Sequence, residues 1–477
     1  MSLTGKRYLS HRGYAIEKQG NEALVEQLKK ELTVKPRTNP MMFQEEVTAF
    51  PVYRENQQKL YLPKNFGLDR FGVPNVLQME DGEDCPNLIF NGIIRPNQEE
   101  PVQAFLDATH DNKKMGGILS LPCGMGKTVI ALRLSSQFKK KTLVVCHTEF
   151  LMDQWIERIE QYLPTARTGK IKQKICQVEG NDIVIASLQS LAMRDYDSAI
   201  FKDFGFVVLD ECHHLGAEVF SRCLPKITCK IMLGLSATLK RKDGLSKVFE
   251  WYLGKPVFTI KRKDSEVKVL VERFYDPHPE YGRELKLWNT GKLNVARMIN
   301  KICEFPPRNH RIVQVLKKVI EIEPNRKVLI LSERRTHLQD LESLLRLEQF
   351  VSIGYYVGGM SKKQLDEGSS QDIILATFQL ASEAMDIPKL NTLILGSPVS
   401  SIEQPIGRIQ RKKKEEREYI PLVIDILDEF SIFERQAAKR IAFYKKNEYE
   451  IVDKVKDQEN QQEKRRYTLI KDDDEDQ

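Results

Sequence analysis

Lys127 and Thr128 close the stretch LPCGMGKT, residues 121–128, which follows the apolar run GGILS and precedes the amphipathic VIALRLSSQF. A strand, a glycine-rich loop and a helix in that order turn backbone N–H groups and a helix N-terminus toward an anion. Gly124 and Gly126 let the chain close around phosphate, with Leu121, Pro122, Cys123 and Met125 completing the loop. Lys127 is then expected on the β- and γ-phosphates of ATP, and the Thr128 hydroxyl on Mg2+. Leu121 stands where the strict GxxxxGK[ST] pattern has glycine. The plainer alternative is a glycine-rich turn that caps a helix beside a surface lysine.

Two acids form the second constellation. In VVLDECHH, Asp210 and Glu211 emerge from the buried run FGFVVL at its C-terminal end, where open α/β sheets place their ligands. Asp210 is expected to hold Mg2+ through its water shell, and Glu211 to orient and deprotonate an attacking water. An acidic pair after a strand also suits a helix cap. Cys212, His213, His214, Cys223 and Cys229 raise a metal reading, but Cys229 opens the next run, KIMLGLSAT. Their intervals fit no zinc-finger spacing, so no structural zinc is expected.

The third constellation is QPIGRIQR, which places Gln404, Arg408 and Arg411 three and four residues apart after the run NTLILGSP. On one helix such residues are neighbours. Two arginines there could meet the charge that develops on a transferring phosphoryl group. A solvated basic helix is the alternative, and the following KKKEER suits it.

These side chains need a rigid frame. From residue 116, the apolar runs GGILSLP, TLVVCHT, DIVIASL, FGFVVLDE and KIMLGLSAT alternate with helix-length segments. After a charged, proline-broken stretch the pattern resumes as RKVLILSE, FVSIGYYVGG, QDIILATF, NTLILGSP and YIPLVIDIL. Such alternation predicts parallel sheets with helices on both faces. The expected organisation is an α/β chain with domains at 86–260 and 288–450, joined by a strand-bearing linker at 261–287. Residues 1–85 form an accessory N-terminal region, whose aromatic cluster YLPKNFGLDRFG is expected to build a small core, with base stacking as the alternative. Residues 451–477, ending KDDDEDQ, are expected to be a solvated charged tail.

Composition bounds the rest. The 477 residues carry 74 Lys and Arg against 67 Asp and Glu, a net +7, which permits a polyanionic partner without requiring one. Eight scattered cysteines form no CxxC pair, which points to reduced thiols and an intracellular, cytoplasmic or nuclear, setting. No apolar run reaches the roughly 18 residues of a membrane span, and MSLTGKRYLSHRGY lacks a signal-like stretch. No membrane partner is expected.

Taken together, the phosphate loop, the acid pair, LSAT (235–238) and QxxGRxxR stand in order on suitable elements. Over about residues 90–450 the sequence resembles the superfamily 2 helicases of the DExH type, whose box would be Asp210, Glu211, Cys212 and His213. IIRPNQEEPV, HTEFLMDQW, IASLQSL, LILSERR and ATFQLASEAMDIP look like the remaining family motifs. The resemblance implies two RecA-like domains with ATP between them, an ATP- and Mg2+-dependent motor, and a nucleic-acid partner, DNA favoured and RNA possible. It further implies Gln98 at the adenine edge, Glu383 and Asp386 near the ribose and the domain interface, and Ser236, Ala237 and Thr238 as coupling residues. Thr148, Gln189 and Thr377 would meet the nucleic-acid backbone. LPCGMGKT and RPNQ look most like the XPB branch. ASEAMDIP with VIDILDEFSIFERQAAKRIAFYKK is similar to the poxvirus transcript-release helicase and its relatives in large DNA viruses. That similarity implies 3′–5′ movement and a link to transcription machinery. Two positions depart: Lys242 reverses a charge within Arg241-Lys242-Asp243, and Ala384 replaces the usual glycine. A double-strand translocase that does not unwind, an RNA helicase and a non-enzymatic scaffold are the rival readings.

Overall fold

The computed structural model describes residues 3–36, 48–110, 115–122, 124–212, 217–237, 244–260, 266–383, 385–412 and 414–453. Cys123, His213, His214, Thr238, 241–243, Ala384, the Glu383 side chain and nearly all of the expected tail lie outside them. The chain divides into two compact units, Met1–Lys261 and Arg262–Gln477.

In the first unit, the apolar runs form an eight-stranded sheet. Its order is Ile175–Cys176, Thr168–Lys172, Ile183–Ser187, Thr142–Cys146, Phe206–Leu209, Ile231–Ser236, Gly116–Ser120 and Pro256–Thr259. All neighbours are parallel except the first pair. The central strands are buried on both faces, which is why their sequences read as continuous apolar runs. Alternate residues serve opposite cores: Leu143 and Val145 join one cluster, Val144 and Cys146 the other.

Residues 7–77 build the accessory layer, a five-stranded sheet ordered Arg54–Glu55, Lys59–Leu62, Gly13–Glu17, Arg7–Ser10, Val76–Leu77. Its apolar side does not close on itself. Leu9, Tyr14, Leu60 and Phe66 share one cluster with Met232 and Tyr252 of the main sheet region. The boundary expected near residue 85 is therefore absent from the packing. Lys64, on helix Lys64–Phe71, is fully buried, and its ammonium donates to the carbonyls of Met115, Cys229 and Lys230 at 2.9–3.1 Å. Burial lowers its pKa to about 8. Lys141 is also buried and pairs with Glu83 at 2.7 Å.

In the second unit, seven parallel strands run in the order Ile353–Tyr356, Ile373–Thr377, Val328–Ser332, Thr392–Leu395, Leu422–Asp428, Lys268–Phe274, Glu450–Asp453. Lys268–Phe274 corrects the linker expected at 261–287, since it lies inside this sheet. Its charges hid it: Glu272 pairs with Arg311, and Arg273 with Asp453 at 2.9 Å. Two buried ion pairs tie the strand Leu422–Asp428 to flanking helices. Arg308 holds Asp428 at 2.6 Å and Arg440 holds Asp425 at 2.9 Å, while Tyr281 and Tyr444 donate to the same carboxylates at 2.8 Å. Both units are thus α/β layers with parallel sheets flanked by helices, the architecture of two RecA-like domains. Among the described residues, no helix is long and apolar enough to cross a membrane.

Candidate active site

The loop after Gly116–Ser120 has the backbone that a phosphate cradle needs. Gly124 and Gly126 sit at φ +87° and +74°, and Gly126 is the left-handed residue preceding helix Lys127–Phe138. Gln98, only 2% exposed, braces the loop: its Nε2 donates to the Met125 carbonyl at 2.9 Å, and its Oε1 accepts from the Arg95 N–H at 3.0 Å. A Cβ on Gly126 would overlap Gln98 Nε2. Gln98, expected at adenine, is therefore seated against the loop. Leu121 is buried, and its N–H donates to the Ser236 carbonyl at 2.9 Å, so the missing first glycine is a packed anchor here.

Strand order brings the acids beside this loop. Phe206–Leu209, Ile231–Ser236 and Gly116–Ser120 are consecutive in the sheet, with Ser236 paired to Ser120. Asp210, Ser236 and Leu121 thus leave the sheet at one edge. Lys127 and the Glu211 carboxylate form an ion pair. Glu211 adopts φ +45°, a left-handed conformation unusual for a residue with a side chain. Asp210 is buried; its Oδ2 accepts from Trp155 Nε1 at 2.8 Å and its Oδ1 from the Glu211 N–H at 2.9 Å. Burial, then the neighbouring Glu211 charge, raises the Asp210 pKa, against the opposing pull of Lys127 and the Trp155 hydrogen bond. The Cys212 N–H donates to the Leu235 carbonyl at 3.1 Å, which ties the acidic turn to the strand carrying Ser236 and Ala237.

The donor set fits a magnesium nucleotide. Asp210 and the Thr128 hydroxyl supply hard oxygens, and Gly124 and Gly126 hold the loop in a left-handed backbone that side chains rarely adopt. Cys223 and Cys229, considered above for metal, are core thiols whose pKa burial pushes up to about 12.

Thr148 and Gln189 follow the adjacent strands Thr142–Cys146 and Ile183–Ser187. Thr148 caps helix Glu149–Tyr162, accepting from the Leu151 N–H at 3.4 Å, and Gln189 Nε2 donates to the His147 carbonyl at 2.6 Å. The structure therefore brings these two loops together.

In the second unit, Thr377 ends Ile373–Thr377, opposite Ser332. Helix Glu403–Arg408 carries Gln404 and Arg408 but stops before Arg411. The shared helical face expected for Arg411 is thus corrected. The two arginines meet through a different segment: Arg408 Nη1 donates to the Met385 carbonyl at 2.6 Å and Arg411 Nη2 to the same oxygen at 3.4 Å. Arg411 also pairs with Asp386 at 3.2 Å.

Sequence reasoning missed Trp155 as the partner of Asp210. The available signal was a tryptophan within the apolar stripe of HTEFLMDQW, since a buried indole N–H needs an acceptor.

The comparisons with known proteins follow the same division. Residues 91–241 match the family described as type III restriction enzyme, res subunit, and residues 311–413 match the helicase conserved C-terminal domain. A protein of Acanthamoeba polyphaga mimivirus, provisionally named an ATP-dependent RNA helicase, is 33% identical over 94% of this chain and 86% of its own. A protein of African swine fever virus with the same provisional name is 28% identical over 70% of this chain and 69% of its own. A helicase of Escherichia phage T5, also provisionally named, is 29% identical over 69% of this chain and 71% of its own. The chain belongs to the superfamily 2 helicases, enzymes that hydrolyse ATP.

Proposed function

We propose that this helicase couples ATP hydrolysis to 3′–5′ movement along DNA, in the service of viral transcription. The observation that carries the reading is the cluster of Lys127, Asp210 and Glu211 at one sheet edge, beside a loop with two left-handed glycines. Loop N–H groups and Lys127 bind the β- and γ-phosphates. Thr128 and Asp210 would hold Mg2+, which when bound would neutralise charge on the phosphate oxygens. An arriving γ-phosphate competes with Glu211 for Lys127 and frees the carboxylate to accept a proton from the attacking water. Arg408 and Arg411 meet the charge developing on the transferring group, and Gln404 orients the nucleophile. Ser236 and Ala237 relay the nucleotide state, because their strand lies between those of the loop and the acid pair. Thr148, Gln189 and Thr377 contact the nucleic-acid backbone, so affinity falls steeply with salt and carries little sequence preference. The segments that resemble the poxvirus transcript-release helicase support the transcriptional setting, and the large-DNA-virus relatives support the viral one.

RNA is the second reading, favoured by the names of the mimivirus and African swine fever virus relatives. ATPase rates with single-stranded DNA, duplex DNA and single-stranded RNA decide between them, with Lys127→Ala as the blank. Stimulation by DNA that disappears in the blank is the expected result; stimulation by RNA alone moves the assignment to RNA.

A further inference from the structure

The most exposed large apolar side chain among the described residues is Trp288, at 96%. It sits at the tip of a small hairpin in the second unit. Lys286 and Leu293 pair antiparallel, and backbone hydrogen bonds run from Leu287 to Lys292 (2.8 Å), Gly291 to Leu287 (2.9 Å) and Asn294 to Leu285 (2.7 Å). Gly291 takes φ +67°, which closes the turn. At the base, Leu285, Leu293 and Val295 pack on the cluster of Met298, Ile299, Ile302 and Phe433. The indole is therefore held out from the surface on a hydrogen-bonded, anchored support.

Its surroundings are cationic. Residues 280–301 carry Arg283, Lys286, Lys292, Arg297 and Lys301 against Glu280 and Glu284, which pair with Arg283 at 3.1 Å and Lys286 at 3.8 Å. Lys292 and Arg297 are exposed and make no ion pair among the described residues. An isolated exposed apolar residue is ordinary, but a tryptophan on a hydrogen-bonded tip, with Lys292 and Arg297 nearby in sequence, has a specific chemical complement. Aromatic faces stack bases while cations track the phosphates. The two faces of an indole projecting from such a tip suit an unpaired base better than a duplex, whose bases are already stacked.

We infer that Trp288 is a base-stacking residue for single-stranded nucleic acid, with Lys292 and Arg297 holding the adjoining phosphates. The inference rests on the nucleic-acid-dependent reading above and adds to it a contact site outside the family motifs. Because stacking needs a base while phosphate contacts do not, an abasic strand separates the two contributions.

The test measures binding of oligothymidylate, oligouridylate and an abasic phosphodiester strand of equal length, at one salt concentration. The proteins are wild type, Trp288→Ala and Trp288→Phe. The expected result is a Kd for the base-bearing strands raised about 5- to 150-fold by alanine, as stacking losses generally run. Phenylalanine should lose far less, and abasic binding should match across the three proteins. Unchanged binding of both by Trp288→Ala overturns the inference and leaves the tryptophan to a protein partner. An equal loss on the abasic strand also overturns it. A wild type that binds none of the three strands sinks the nucleic-acid-dependent reading with it, whereas wild-type binding untouched by alanine sinks the stacking role alone.

Discussion

Gly126→Ala is the sharpest local perturbation of the phosphate loop. Gly126 stands at φ +74° before the helix that begins with Lys127. Holding alanine in that left-handed conformation costs about 1–2 kcal/mol. Its Cβ would also overlap Gln98 Nε2, so the amide must swing away and give up its 2.9 Å bond to the Met125 carbonyl. That loss adds about 0.5–1.5 kcal/mol. If the cradle must take this shape to grip phosphate, the combined cost of roughly 1.5–3.5 kcal/mol weakens nucleotide binding about 12- to 370-fold. Calorimetric titration with a non-hydrolysable ATP analogue measures it directly. The pair should also be non-additive: Gln98→Ala removes the same brace, so the double variant should bind no worse than Gly126→Ala alone. A Gly126→Ala protein with wild-type affinity, or a double variant whose losses simply add, would refute the reasoning.

Other outcomes follow from the same geometry. Asp428→Asn strips the buried Arg308 of its counter-charge, which typically costs about 3–5 kcal/mol; the melting transition of the second unit should fall by on the order of 10 °C in scanning calorimetry. Replacing both partners, as Arg308→Met with Asp428→Leu, should cost less. His337 is bridged between Ser332 Oγ and Asn309 Oδ1, both at 2.9 Å, and burial holds its pKa down at about 3. The unfolded chain therefore binds a proton that the folded chain refuses, so stability is lost as pH falls below the ordinary imidazole pKa of about 6.5, by about 2 kcal/mol near pH 5. Chemical denaturation across that range should show the slope, and His337→Gln should flatten it. Trp155→Phe deletes the 2.8 Å donor to Asp210; the Mg2+ concentration needed for half-maximal ATPase should rise about tenfold, by the strength of a hydrogen bond to a charged group. An unchanged Mg2+ requirement would make Trp155 a packing residue only.

Much of the frame was legible because parallel strands buried on both faces must be written in apolar residues. The runs ending at Ser120, Leu209, Ser236 and Thr377 were each readable, and the chemistry-bearing residues follow their ends. A strand was expected within 261–287, but the place of Lys268–Phe274 inside the second sheet was not legible, because its Lys, Glu and Arg are satisfied by partners far away in sequence, such as Asp453 and Arg311. The accessory region looked separate because hydropathy shows that a face is apolar but not what covers it; Tyr14 and Phe66 turn out to share a core with Met232. Arg411 was assigned to a helix by spacing alone, yet the helix ends at Arg408, and what joins the two arginines is the Met385 carbonyl, a backbone group that no side-chain pattern reveals. Gln98 was placed by resemblance, and only its burial against Met125 exposes its part in shaping the loop.

The most direct test of the central claim is ATP turnover by Glu211→Gln in the presence of the stimulating polymer. This substitution removes the proton acceptor while keeping its shape and leaving Lys127, Asp210 and the loop in place. The account predicts that nucleotide still binds while stimulated hydrolysis and strand displacement on a tailed duplex are both lost. A Glu211→Gln protein that hydrolyses ATP at the wild-type rate would contradict it.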